Sequence, residues 1–312
     1  MRWVCVLVAF ILAGLGRPDV ALAADSLDDQ DPLQLKSLYQ QRDFFSLRDR
    51  LDQLPAASRS QPEVALLQAA VQQAFNQLDS SNETIATTLA GADLEPGLVL
   101  RLWNLQLTNH FRKHDYLAAL ETARLILSSP AIESAPRAAS EARNKLPLLQ
   151  ALQDVPPQET EIRGPSRLAL GQTKRVPLRI EGQKVQFALD TGANISVIMR
   201  SEAEKLGLKI RPADIVISTA TAKKVLGDVA AAQTVEIGKI RYRNVVFLVL
   251  PDEMLTFPGG HRIPGLVGFP LVEAMGEVRF RRDNVMEIPK TSARRTLGNL
   301  ALNDLDPLTL VR

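Results

Sequence analysis

The chain has a single cysteine in 312 residues, Cys5, and it falls in an apolar run at the extreme N-terminus. If that run is removed as a leader, no thiol remains, which excludes disulfides, a cysteine nucleophile and cysteine-ligated zinc together. Stability must then come from a hydrophobic core, which a chain of this size can build. Histidine is scarce as well, with three residues, His110, His114 and His261. His110 and His114 stand four apart and share a helix face, with Asp115 beside them as a third donor, but no glutamate intervenes as in a zinc-protease helix. Two solvated histidines at a helix end are the plainer reading, and His261 reads as a loop residue. No metal site and no cofactor is expected. The charge is nearly balanced, at a formal +2, and no dense basic run asks for a nucleic-acid partner.

What is present begins with Met1-Arg2-Trp3, an apolar stretch over residues 4–15, then Arg17, Pro18 and Ala21-Leu22-Ala23. This is the order of a secretory signal over residues 1–24, with a short basic start, an apolar middle and small residues before the cleavage point. The apolar stretch falls short of the about 20 residues that span a bilayer. A periplasmic or secreted protein without a membrane span after cleavage is expected, an uncleaved anchor being the other reading. Cys5 lies too near Met1 to resemble a lipoprotein acylation site. The 46% hydrophobic and 23% charged fractions suit a soluble globular protein of two domains.

Residues 25–155 carry helical periodicity. Pro32-Leu33-Gln34-Leu35-Lys36-Ser37-Leu38-Tyr39 and Phe44-Phe45-Ser46-Leu47-Arg48-Asp49-Arg50-Leu51 space apolar residues three and four apart. Further helices are predicted at 62–78, 81–89, 97–111, 116–127 and 136–145, punctuated by Pro55, Pro96, Pro130 and Pro147. Asp43, Asp79 and Asp115 are evenly spaced, each before a second helix of a pair. That period is near the roughly 34 residues of helix-hairpin repeats, and the segment resembles a tetratricopeptide array in outline, with an irregular bundle as the alternative. Such arrays present a surface to a partner protein. Pro156-Pro157-Gln158-Glu159-Thr160-Glu161 and Gly164-Pro165 mark a linker over residues 156–165.

Beyond it, over residues 166–290, the period becomes alternating. Paired strands flank Glu181-Gly182-Gln183, Thr221-Ala222-Lys223-Lys224, Gly238-Lys239 and Arg281-Arg282-Asp283-Asn284, which predicts an antiparallel, barrel-like β domain. Residues 291–312 form a tail without pattern, in which Arg294-Arg295 reads as a solvated pair. Within the β domain, residues 185–198 place one carboxylate, Asp190, between two apolar strands, followed by Thr191 and Gly192. An ionisable group there is half-buried at least, so that its pKa is open to perturbation. Gly192 lets a substrate or another backbone come close, and Thr191 offers a short hydroxyl. A turn-capping aspartate is the plainer alternative. Ser196 lacks both a glycine elbow and a nearby histidine, so it reads as structural.

Asp190-Thr191-Gly192-Ala193, with its apolar flanks, resembles the active-site loop of aspartic proteases, best those of the retropepsin-like type. Two downstream stretches fit. Ser201-Glu202-Ala203-Glu204-Lys205-Leu206-Gly207 reads as a short helix with a capping box, Ser201 as N-cap and Glu204 at N3, closed by a glycine. Ile263-Pro264-Gly265-Leu266-Val267-Gly268-Phe269-Pro270-Leu271 is similar to the element that threads behind the catalytic loop in this fold. Phe269-Pro270 stand where many members carry a polar or acidic residue, as in a bacterial subgroup. The resemblance covers roughly residues 165–290, and by position it makes the 215–229 hairpin the flap, though its tip lacks the glycines of viral flaps.

What the resemblance implies is an aspartic endopeptidase with Asp190, Thr191 and Gly192 as its site. Hydrolysis by this route needs two carboxylates sharing a proton, one as base toward water and one as acid toward the carbonyl oxygen. One Asp-Thr-Gly in a domain about half the size of a two-lobed enzyme implies a homodimer, each copy supplying Asp190. Thr191 would bond across the two-fold axis, and Val285–Ile288 is the expected dimer edge by analogy. The competing expectation is a catalytically silent module that binds a peptide or partner through its helices. A further one is that the helical segment restrains the protease until a partner binds.

Overall fold

The computed structural model describes residues 31–291, apart from 92, 173–174, 219–223 and 258, together with 300–303 and 306–309. The expected signal over 1–24, with Cys5, and the Arg294-Arg295 pair lie outside the described residues. Two compact units part near Leu149 and Gln150. The first is helical: α1 (Asp31–Gln40), α2 (Phe44–Gln53), α3 (Ala56–Arg59), α4 (Pro62–Ala74), α5 (Leu78–Leu89), α6 (Pro96–Arg112), α7 (Tyr116–Ser128) and α8 (Pro136–Leu152).

Three helical hairpins, α1–α2, α4–α5 and α6–α7, turn in the same way. Arg42, Asn76 and His114 take left-handed backbone angles, with φ of 61°, 60° and 59°. The next residue's N–H reaches back to a carbonyl in the preceding helix: Asp43 to Leu38, Gln77 to Gln72 and Asp115 to His110. This closes each first helix with the bond pair of a Schellman cap. Asp43 and Asp115 then cap the second helices through Ser46 and Ala118 N–H. The equivalent residue of the middle hairpin is Gln77, which makes no side-chain cap, while Asp79 sits inside the first turn of α5. The even spacing of the three aspartates therefore does not mark equivalent positions. Backbone geometry sets the register, and Asn76 tolerates the left-handed turn better than most residues.

Between the second and third hairpins lies a buried polar knot. Asn109 donates to Ser81 Oγ and Asn82 Oδ1, and Gln73 donates to Asn109 Oδ1 and to the Leu105 carbonyl, joining α4, α5 and α6. Pro147 does not end a helix as expected. It lies within α8, and the turns beyond it are held by Leu148, Leu149 and Leu152, all at 2% exposure or less. One lost intrahelical hydrogen bond is outweighed there by packing.

The second unit holds β1 (Glu159–Ile162), β2 (Ser166–Ala169), β3 (Arg175–Ile180), β4 (Gln183–Leu189), β5 (Ser196–Met199), α9 (Arg200–Lys205), β6 (Ile210–Ser218), β7 (Lys224–Ile237), β8 (Ile240–Leu250), β9 (Thr256–Phe257), β10 (His261–Arg262), β11 (Gly265–Val267), α10 (Phe269–Glu273), β12 (Arg279–Phe280) and β13 (Val285–Ile288). Strands pair in the order β8-β5-β11-β4-β3-β7, and β7 returns to β8, closing a six-stranded barrel with β1 and β6 outside the ring. Its interior is apolar, with Phe187 and Phe247 edge to face at 6.2 Å and Tyr242 donating its hydroxyl to the Leu271 carbonyl. The chain thus joins a helical domain to an all-β barrel. Among the described residues no helix is long and apolar enough to cross a membrane.

Three local expectations change. Glu159–Ile162, read as linker, pairs with β8 as β1. Within the tail, β14 (Leu300–Asn303) and β15 (Asp306–Thr309) form a hairpin that alternation did not reveal. Val285–Ile288 is not an edge: β13 lies between β2 and β12 and pairs with both, so its ladder groups are used within the chain.

Candidate active site

Strands β4 and β5 do not lie side by side. β11 is inserted between them, parallel to β4 through Leu266–Ala188 and Val267–Leu189, and antiparallel to β5 through Gly265–Ile198 and Leu266–Val197. The turn from Asp190 to Ile195 must therefore pass over the end of β11. Two glycines make the threading sterically possible. A Cβ on Gly268 would sit 2.8 Å from Ile195 C and Ser196 N and 2.9 Å from the Ala193 carbonyl oxygen. One on Gly265 would strike the Phe187 ring and lie 2.6 Å from the Val197 carbonyl.

Four hydrogen bonds suspend the turn. Asp190 N–H donates to the Val267 carbonyl at 3.0 Å, Ala193 N–H to the Asp190 carbonyl at 3.2 Å, and Phe269 N–H to the Ala193 carbonyl at 2.9 Å. The fourth runs from Gly268 N–H to Ser196 Oγ at 3.1 Å, both buried. Ser196 thereby ties the start of β5 to the threaded element. In this frame the Asp190 carboxyl is half-buried and accepts from Gly192 N–H at 3.0 Å. Burial raises its pKa, opposed by the Gly192 and Ala193 N–H groups, and the net direction is upward. Asp190, Thr191 and Gly192 share one turn, with Thr191 exposed. An added Cβ at Gly192 would meet only Asp190 Oδ1, at an ordinary 3.4 Å. Asn194, which sequence reasoning did not single out, has a buried amide oxygen with no hydrogen-bond partner. Its place two residues after Gly192 was the one signal available.

Around this turn, charged groups brace the approach to β11. The Asp252 carboxylate accepts from Ser201 N–H at 3.0 Å, from Ser201 Oγ and from the Arg262 guanidinium. Burial alone would raise its pKa, but the Ser201 donors and the arginines hold it below the usual carboxylate range. Asp252 thus replaces the expected capping box: Met199, without a side-chain bond, is the N-cap of α9, and Ser201 lies inside the helix facing Asp252. A carboxylate from a distant strand end satisfies the first-turn N–H better than a neutral hydroxyl, because it also complements the helix dipole. The C-terminal half of that expectation is met, with Leu208 N–H on Ala203 and Gly207 N–H on Glu204. Arg175 donates to the Arg262 carbonyl at 2.7 Å and lies 3.3 Å from His261 Nε2, so His261 belongs to this brace.

The 215–229 hairpin is formed by β6 and β7, from Ile215–Gly227 to Ser218–Lys224, and its tip at 219–223 lies outside the described residues. At its base the Arg200 guanidinium pairs with Asp228. The His110 and His114 pair, expected to be solvated, is half-buried. Burial lowers both pKa values, that of His114 to about 4, and His114 Nδ1 lies 3.2 Å from the Tyr116 hydroxyl. Among the described residues no three His, Cys, Asp or Glu side chains converge to hold a metal ion.

Residues 176–271 match a protein family described as aspartyl protease. No curated protein matches the chain. Among solved structures, the chain is similar to a retropepsin-like aspartic protease from Rickettsia conorii, at 22% identity, with 42% of this chain and 95% of that chain covered and a TM-score of 0.28.

Proposed function

We propose that this chain, whose residues 176–271 match an aspartyl protease family, is an exported endopeptidase of the retropepsin-like type that cuts peptide bonds with the Asp190 carboxyls of two copies. The observation that carries this reading is the half-buried Asp190, its pKa raised, on a turn suspended over β11. A lone carboxyl cannot act as base and acid in the same step. Two of them about 3 Å apart cannot both ionise, so one proton is shared and the pair titrates in two steps. The ionised member takes a proton from water, while the protonated member donates to the scissile carbonyl oxygen. The water oxygen adds to the carbonyl carbon, and the tetrahedral intermediate collapses by breaking the C–N bond: the proton taken from water passes to the leaving nitrogen, and a hydroxyl proton of the intermediate returns to the other carboxylate.

Exposed Thr191 supports pairing across a two-fold axis, where a hydroxyl can bond to its mate's turn. Gly192 supports close approach of a substrate backbone, because among the described residues the place of its missing Cβ meets only Asp190 Oδ1, at 3.4 Å. Export rests on the signal-like residues 1–24. The helical hairpins are assigned to recognition of a protein partner, since the chemistry resides in the β barrel alone.

The test is cleavage of a peptide library by the purified chain from acidic to neutral pH, with Asp190→Asn beside it. Cleavage that disappears with this change and rises more than linearly with protein concentration is expected. Equal cleavage by both proteins, or none by either at any concentration, would return the chain to a binding role.

A further inference from the structure

Strand β7 leaves the barrel at Asp228. Its pairing with β8 runs from Ile237–Ile240 to Asp228–Val249, and from Gly227 outward, among the described residues, β7 has only β6 beside it. β6 is irregular at the same place. Its register with β7 breaks between Arg211–Val229 and Ile215–Gly227, so that residues 212–214 stand opposite Asp228 alone. Such a bulge bends a strand and interrupts its ladder. Pro212 has no N–H to offer, and Asp214 takes a left-handed backbone angle, with φ of 46°. The hairpin that projects from this joint therefore depends on whatever holds the bulge.

Asp228 itself does so. One oxygen of its carboxylate accepts from the Ala213 N–H at 3.2 Å, in the middle of the bulge, and the other takes the Arg200 guanidinium. Ala213 is buried and the Asp228 side chain is only 20% exposed, so loss of this bond leaves a shielded donor without a partner. Arg200 opens α9 directly after Met199, the last residue of β5, and the start of β5 is where Ser196 ties down the Asp190 turn. The near side of the joint is fixed separately. Arg211, the last β6 residue paired before the bulge, donates to the Ala151 carbonyl at 3.0 Å and pairs with Asp154, at the C-terminal end of α8. All three belong to the barrel unit, and a guanidinium at that helix end also complements its dipole. The joint thus has one anchor before the bulge and another within it.

Beyond the joint, Val216 and Leu226 stand opposite each other on the two arms, at 52% and 58% exposure. Two large apolar side chains this open, side by side on one face of a hairpin, suit contact with apolar side chains of a bound peptide. We infer that Asp228 is a positioning residue for peptide cleavage: by clamping the bulge to α9, it sets the angle at which the hairpin, by position the flap, presents Val216 and Leu226 to a substrate at Asp190. Arg200 and Arg211 support it from either side. The role in cleavage rests on the peptidase reading, whereas the clamp on the bulge does not.

The test uses the full chain with Asp228→Ala, which removes both bonds, and Asp228→Asn, which keeps an acceptor for the Ala213 N–H but not the charge that pairs with Arg200. Amide hydrogen exchange is expected to quicken by about tenfold in the arms 215–218 and 224–227 of Asp228→Ala, to stay unchanged in β4, β5 and β11, and to be intermediate in Asp228→Asn. With a peptide that the wild type cuts, KM is expected to rise about tenfold in Asp228→Ala with kcat within about twofold, and Asp228→Asn to recover part of the loss. A side chain that merely supported the barrel would quicken exchange in β4, β5 and β11 along with the arms. That result, or unchanged exchange in the arms, would overturn the clamp. Should Asp228→Ala not fold, Asp228→Asn is read in the same way. If the wild type cuts and Asp228→Ala keeps its KM, the positioning role falls while the peptidase reading stands. If the arms loosen and the wild type cuts no peptide, the clamp stands and the peptidase reading falls.

Discussion

The backbone N–H of Asp190 donates to the carbonyl of Val267 at 3.0 Å, so the carboxylate-bearing turn hangs from a strand 77 residues downstream in the chain. The same crossing brings Gly268 under Ala193 and Ser196 and makes the position of one carboxyl depend on how closely two backbones approach.

Substitution at the two glycines should separate folding from chemistry. Gly268→Ala puts a Cβ within 2.9 Å of three backbone atoms. A loss of about 1–3 kcal/mol or more in urea unfolding is expected, with loss of activity. Gly192→Ala meets only one ordinary contact. It should leave unfolding within about 0.5 kcal/mol of wild type and still abolish peptide cleavage. A fully active Gly192→Ala chain would remove the close-approach role.

Ser196→Ala leaves the buried Gly268 N–H without its acceptor. The expected loss is about 1–3 kcal/mol by equilibrium unfolding. Ser196→Thr, which keeps the hydroxyl, should lose less, and an unaffected Ser196→Ala chain would show the tie to be dispensable.

Asp190 gives a pH signature of its own. Its folded pKa lies above the ordinary aspartate value because of burial. The folded chain thus binds this proton more tightly than the unfolded chain does, and stability from it declines as pH rises through the folded value. At neutral pH, Asp190→Asn should be more stable than wild type, with the difference closing below about pH 4. Paired denaturation curves at pH 7 and pH 3 measure it, and a less stable Asp190→Asn chain at pH 7 contradicts it.

His114 works in the opposite direction. Burial lowers its pKa from 6.5 to about 4, so the unfolded chain binds the proton first as pH falls. Stability from the neutral imidazole is complete above about pH 6.5 and is lost on acidification toward pH 4, by on the order of 3 kcal/mol. His114→Asn keeps a residue that accepts the left-handed turn. It should flatten the fall in melting temperature of the helical unit between pH 7 and pH 4.5, and an unchanged slope would assign the acid sensitivity elsewhere.

Much of the barrel was legible because hairpin neighbours are close in sequence. The turns at Glu181-Gly182 and Gly238-Lys239 join strands that pair as alternation predicts. The site turn was legible too, since a carboxylate between apolar strands is rare enough to stand out. The capping box at Ser201 was misread because a local pattern cannot register a competing carboxylate from Asp252. The even spacing of Asp43, Asp79 and Asp115 misled for a similar reason, as the turns at Arg42, Asn76 and His114 set the repeat and their backbone angles are not written in residue type alone. Val285–Ile288 looked like an edge only while its partner on the other side, β2, was unknown.

From its residues alone this chain was bound to form a helical segment followed by a β domain with one half-buried carboxyl at a glycine-containing turn, because periodicity and turn chemistry act over a few residues. Which strand passes beneath that turn, which N–H groups hold it, and which sheet edge remains unpaired were settled only in three dimensions. Those are contacts between segments far apart along the chain, and hydrogen bonding and close packing between such segments depend on register, which no short stretch encodes.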